Sequence, residues 1–227
     1  MNGEPRQPAV ERKPLHLGAF LVSFFALWTL RILLWGAIDA HSTSLFAHRA
    51  WSEGFRIVLW LFFPIGWLWI DTGSIGEALK LPRPFSRHWA TILITEFVCC
   101  AQIVHIATTG ERHEMSERLW DYVVAANAAL LIGSVEEFVF RGIVMGELWR
   151  RHGFWIANLA SALLFVLIHW PGWIMLGHLP PISLMTISVN IFVFGLVMGV
   201  VAGLEGNIRL AIVLHALNDF LIGAVFR

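Results

Sequence analysis

Gly133-Ser134-Val135-Glu136-Glu137-Phe138-Val139-Phe140-Arg141-Gly142 is the stretch on which the fold turns. It sets two adjacent carboxylates and a guanidinium inside a run that is otherwise apolar from Tyr122 to Met145. Ionisable groups in such a run are costly, and where they occur they face a cavity, a partner or a substrate path. On a helix Glu137 and Arg141 are i,i+4 neighbours and can pair. Glu136 lies about 100° round the same helix and is free to point elsewhere.

The composition around that stretch is that of a membrane protein. The 227 residues are 57% hydrophobic and 14% charged, with a mean hydropathy of +0.69. Soluble domains carry roughly 25% charged residues. Twelve tryptophans fit a chain whose indoles sit at the two interfaces of a bilayer. The net charge of zero argues against a nucleic-acid partner. Cys99 and Cys100 are adjacent, lack metal-ligand spacing and read as small apolar fillers.

In chain order, residues 1–14 read as a disordered polar tail and 15–227 as a single integral membrane domain. Spans are expected at about 15–38, 55–70, 88–108, 120–150, 154–170, 182–204 and 208–226, each near the ~20 residues a bilayer needs. The predicted fold is therefore all-α, a polytopic transmembrane helix bundle of about seven spans. The last four spans, at about 120–227, hold the candidate motifs. Arg31 interrupts the first span and is expected to snorkel or to face the bundle. Pro64 and Gly66 predict a kink in the second. Glu96 and His105 in the third read as interfacial or internally paired. Residues 173–181 are too short to span and read as a loop or a short interfacial piece. Gly195, Gly199 and Gly203 are spaced for close helix packing. With the N-terminus inside, nine Lys and Arg fall on the inner side and five on the outer. That bias predicts a cytoplasmic N-terminus.

Three further polar groups lie at comparable depth in the last spans. His169 ends the fifth, and His215, Asn218 and Asp219 lie in the seventh. At ~1.5 Å per residue, Glu136, His169 and the His215–Asp219 turn fall in one band of the bilayer. No serine is paired with a base and no phosphate-binding loop is present. A carboxylate with imidazoles can activate water. One histidine can orient that water or relay its proton, and a second histidine, or Asn218 or Asp219, can hold a developing oxyanion. Asp219 could do so only while protonated, which a dry site permits.

These residues resemble a known family. Glu136-Glu137-Phe-Val-Phe-Arg141 is similar to the EExxxR motif of the CPBP family, the CAAX-protease and bacteriocin-processing membrane proteins also called Abi proteins. Phe165-Val-Leu-Ile-His169 resembles its FxxxH motif. His215-Ala-Leu-Asn-Asp219 resembles its last motif, in which Asn is common where Asp219 stands. The likeness covers about 120–227. It implies an intramembrane endopeptidase of the glutamate type, with Glu136 as the base on water and His169 assisting. His215 and position 219, or Asn218, would form the oxyanion site, and Glu137 and Arg141 would support Glu136. It implies no cofactor, although Glu136, His169 and His215 could formally be three zinc ligands. The implied partners are the lipid bilayer and a membrane-anchored protein or peptide tail, in a prokaryotic cytoplasmic membrane. No feature of the sequence sets the oligomeric state. The rival readings are a non-enzymatic immunity or scaffold protein of the same fold, and a proton-coupled carrier.

Overall fold

The computed structural model of the protein describes residues 15–41, 54–78, 81, 119–175 and 179–225. Among these the chain is all helical, with no strand. Helix α1 is Leu17–His41. A wide π-wound turn, Val58–Phe62, leads into α2, Phe63–Thr72, and a short α3 follows at Ile75–Ala78. Helix α4, Leu119–Glu137, passes through a second π-wound stretch, Phe138–Met145, into α5, Gly146–His152. Then come α6, Phe154–Leu167, the short α7, Trp170–Met175, the long α8, Pro181–Glu205, and α9, Arg209–Val225.

Among the described residues, four helical segments are long and apolar enough to cross a membrane: Leu17–Trp35, Gly54–Thr72, Phe154–Met175 and Pro181–Glu205. The chain is an integral membrane protein. The expected count of about seven spans is not confirmed. The third expected span, with Glu96, Cys99, Cys100 and His105, lies outside the described residues, as does the tail at 1–14. The last helix is only 17 residues long.

Local sequence accounts for the breaks. Pro64 has no N–H to give the carbonyl one turn back. The wide turn, Val58–Phe62, lies just ahead of Pro64, and the residues of the expected Pro64–Gly66 kink belong to the regular helix α2. Gly153 holds φ 82° between α5 and α6, and Gly206 holds φ 65° after α8. Both are in the left-handed region that glycine enters without a Cβ clash. The expected loop or interfacial piece after the fifth span begins with a helical turn, α7.

Aromatic rings form the core. Phe24 meets Trp60 edge-on at 4.8 Å, Trp60 lies 6.0 Å from Phe140, and Phe140 lies 5.1 Å from Phe165. The series joins α1, the π turn before α2, α4's π stretch and α6. Arg31 faces the bundle: it is buried, with its guanidinium over Trp28 at 4.7 Å and Trp35 at 5.4 Å.

Two close helix contacts position the site. Along α4 and α9 a Cβ added at Gly133 would lie 3.0 Å from the Ala216 nitrogen. Only a residue without a side chain lets the two backbones approach so nearly. Along α6 and α8 the glycines expected to pack do so. A Cβ at Gly195 would lie 3.2 Å from Ala162 Cβ, one at Gly203 would lie 2.6 Å from Phe154 Cε2, and one at Gly199 would collide with Asn158 Oδ1. At one end of the bundle Arg151 donates to the Leu15 carbonyl at 2.6 Å, and His16 meets Asp71 at 2.6 Å. The starts of α1 and α6 and the ends of α2 and α5 therefore lie together.

Candidate active site

Glu137 is wholly buried at the last turn of α4. Its Oε1 lies 3.0 Å from Arg141 Nη1 and 2.8 Å from His215 Nδ1. A carboxylate already matched to a guanidinium accepts at that oxygen, so the His215 Nδ1–H is the donor. Arg141 is itself held from two further sides. Its Nη2 donates to the Gly195 carbonyl at 3.0 Å, and its guanidinium lies 4.5 Å over the Phe165 ring. A buried charge persists where pairing and hydrogen bonds replace water.

The other nitrogen of the same imidazole looks the opposite way. His215 Nε2 lies 3.7 Å from Glu136 Oε2 and 3.7 Å from Asp219 Oδ2. Neither distance is a direct hydrogen bond, and such gaps are where a bridging water belongs. Glu136 is about a tenth exposed and Asp219 more so, whereas Glu137 is sealed. The two adjacent carboxylates thus divide one ring between them. Sequence reading sent Glu136 away from Glu137; the close approach of α9 at Gly133 places a ring that both can reach.

His169 stands in the turn after α6. Its Nδ1 is 2.7 Å from the Phe165 carbonyl, which can only accept. The Nδ1–H is therefore fixed on that oxygen, and Nε2 keeps a free lone pair in the neutral ring. Phe165 joins the histidines: its ring meets His169 edge-on at 5.0 Å and His215 at 5.8 Å. Phe194 of α8 closes on His215 at 4.9 Å, and Trp173 of α7 stacks on His169 at 5.1 Å. Asn218 is buried and donates from Nδ2 to Asp219 Oδ1 at 3.3 Å.

All seven residues singled out in the sequence therefore belong to one neighbourhood. Glu137, Arg141 and His215 are bonded to one another, Glu136 and Asp219 each approach His215 Nε2 to 3.7 Å, Asn218 bonds Asp219, and His169 is linked through Phe165. The expected support of Glu136 by Glu137 and Arg141 takes another form, because Glu137 bonds His215 and Arg141 pairs with Glu137. Sequence reading missed Phe194, Trp173 and the Gly195 carbonyl. Aromatic residues and a glycine in apolar helices carry no signal that separates a site wall from ordinary packing. Among the described residues no group of three or more His, Cys, Asp or Glu side chains is gathered to hold a metal ion.

Residues 118–221 match the family model described as type II CAAX prenyl endopeptidase, Rce1-like. The segment contains every candidate residue above. Neither the curated proteins nor the solved structures contain a match to the chain.

Proposed function

We propose that this chain hydrolyses a peptide bond with a water activated by Glu136, a reading supported by the match of residues 118–221 to the Rce1-like endopeptidase model. The substrate is the tail of a membrane-associated protein or peptide. The observation that carries this reading is the division of His215, with Nδ1 fixed by buried Glu137 and Nε2 turned to Glu136 and Asp219.

The chemistry follows from the geometry. A water lodged at Glu136 gives its proton to that carboxylate while its oxygen attacks the peptide carbonyl carbon. His169, with Nδ1–H spent on the Phe165 carbonyl, accepts from the same water through Nε2. The carbonyl electrons move onto oxygen, and that charge needs donors already in place. His215 in its doubly protonated form supplies one, since Nδ1–H is on Glu137 and Nε2–H remains. A protonated Asp219, held by Asn218, supplies another. On collapse the C–N bond breaks, and Glu136 returns its proton to the leaving amine. Arg141 fixes Glu137, and Glu137 fixes the tautomer and orientation of His215. That is the part a buried acid plays beside a working histidine. The scheme uses no metal.

The test is cleavage by the full-length protein in liposomes. The probes are quenched peptides with an N-terminal lipid anchor, with and without a prenylated cysteine before the last three residues. Glu136→Gln is expected to abolish cleavage and leave membrane level and folding unchanged. Cleavage that survives Glu136→Gln overturns the mechanism. Comparing the membrane proteome with and without the protein then names the natural tail, as the one that accumulates uncut.

A further inference from the structure

We infer that Trp28 and Arg31 of α1, outside the 118–221 domain, are positioning residues for His169. The inference rests on the reading of His169 as part of the site.

The His169 turn needs an outside donor. The last carbonyls of a helix have no partner within it. At the end of α6 the backbone bonds Ile168 N to Leu164 O and His169 N to Val166 O. The Ile168 carbonyl is satisfied instead by the indole of Trp28, whose Nε1–H donates to it at 2.8 Å. The bond joins residues 140 apart in sequence, and it fixes the peptide that leads directly into His169. One turn further along α1, Ile32 Cδ1 would meet a Cβ at Gly172 at 4.0 Å. Helix α1 also packs against α7, which follows His169, so it borders the turn on both sides.

Arg31 completes the device. A buried arginine in a membrane helix is costly and calls for a reason. Its guanidinium lies over the same Trp28 ring, 4.7 Å from the centroid, with Trp35 on its other side at 5.4 Å. A cation on an indole face is attracted by the ring's quadrupole, holds the ring in orientation and polarises its N–H. Trp60 meets Trp28 edge-on at 5.3 Å and limits its swing. The order of action is Arg31, Trp28, the Ile168 carbonyl, then His169. The imidazole tautomer is set separately by the Phe165 carbonyl. The contribution of α1 is the place of the ring and not its protonation.

The test uses the full chain, with ¹⁵N-histidine labelling and His169 and His215 signals assigned through His169→Gln and His215→Gln. Trp28→Phe keeps the ring and removes the donor. Its expected result is displacement of the His169 ring signals with those of His215 in place. On the peptides above, kcat falls about tenfold or more, as misplacement of a reacting group does, and KM stays within about twofold. Arg31→Leu, which leaves the indole intact, is expected to shift the same signals, and Arg31→Lys to restore most of the loss. Trp67→Phe makes the same chemical change elsewhere in the α1–α2 interface and is expected to leave both readouts alone. Unmoved His169 signals in folded Trp28→Phe overturn the inference, as does an equal displacement by Trp67→Phe. If Trp28→Phe fails to fold, Arg31→Leu decides by the same signals. If the parent chain cleaves nothing, the proposed function fails, while the histidine signals still decide the positioning claim.

Discussion

His215 and Glu137 meet through Nδ1 and Oε1 at 2.8 Å, with the carboxylate fully sealed and Arg141 on the same oxygen at 3.0 Å. The expected consequence is that two substitutions at position 137 both lower cleavage and lower stability to different degrees. Glu137→Gln keeps shape and can keep one hydrogen bond, yet it removes the charge that fixes a protonated His215. Cleavage is expected to fall by about 10² to 10⁴, and stability falls too, by less than in an alanine variant, because Gln keeps hydrogen bonds but leaves the buried Arg141 charge unmatched. Glu137→Ala leaves Arg141 buried without its carboxylate, and breaking such a pair costs about 3 to 5 kcal/mol. That variant is expected to lose both cleavage and thermal stability in detergent. Equal stability in the two variants would contradict the role given to the pair.

His169→Ala is expected to differ from Glu136→Gln in degree. Glu136 takes the proton, whereas His169 only accepts a hydrogen bond from the same water in the proposed scheme. Assisting groups of this kind contribute about 10² to 10⁴. A trace of cleavage is expected to remain in His169→Ala and none in Glu136→Gln. His169→Gln, which offers an acceptor at similar reach, is expected to recover part of the loss. Single-turnover rates on one lipidated peptide would check the order.

Much of this site was legible in the sequence, because ionisable groups in apolar runs announce themselves. Glu137 and Arg141 were readable as a pair from their spacing, and Glu136, His169 and His215 as one layer from their distances along helices. The partners that shape the layer were not. The Phe165 and Gly195 carbonyls belong to the backbone, which every residue has. The close contact at Gly133 depends on which helix lies opposite, and only the folded chain decides that. The π winding of Phe138–Met145, just after the two glutamates, follows no periodicity that a helical reading of FVFRGIVM would reveal. Such wide turns occur often at functional sites. Trp28 was one of twelve tryptophans and was indistinguishable from an interfacial anchor.

The α6–α8 contact carries its own prediction. A methyl at Gly199 must displace Asn158, whose Nδ2 donates to the Leu196 carbonyl at 3.1 Å. Overpacking of this kind costs about 1 to 3 kcal/mol. Gly199→Ala is therefore expected to lower the detergent melting temperature. Gly66→Ala, with nothing within 4 Å of the new carbon, is expected to be neutral or to gain about 0.5 to 1 kcal/mol from the helix preference of alanine. Equal melting temperatures for the two would show that the glycine spacing is incidental to packing.

Exhaustive chelation tests the metal alternative directly. The proposed water is held by side chains, and His215 spends Nδ1 on Glu137 while Nε2 stands 3.7 Å from Glu136. Cleavage is expected to continue unchanged after treatment with a strong zinc chelator, with substoichiometric metal by elemental analysis of the active protein. Loss of activity on chelation, restored by zinc alone, would move Glu136, His169 and His215 from acid–base roles to ligation.

The oxyanion donors can be told apart at positions 218 and 219. Asn218 spends Nδ2 on Asp219 Oδ1 at 3.3 Å, and Asp219 places its other oxygen 3.7 Å from His215 Nε2. Asn218 thus reads as the holder and Asp219 as the group facing the reaction. Asp219 donates only while it carries a proton, so cleavage by the parent protein is expected to fall as rising pH removes that proton. Asp219→Asn carries a permanent N–H donor at the same place. It is expected to keep cleavage within about tenfold of the parent and to flatten this loss at high pH. Asp219→Ala removes the donor and is expected to lose about 10² to 10³, the scale of one oxyanion contact. Asn218→Ala leaves the donor but frees its side chain, and an intermediate loss is expected. A larger loss in Asn218→Ala than in Asp219→Ala would exchange the two roles.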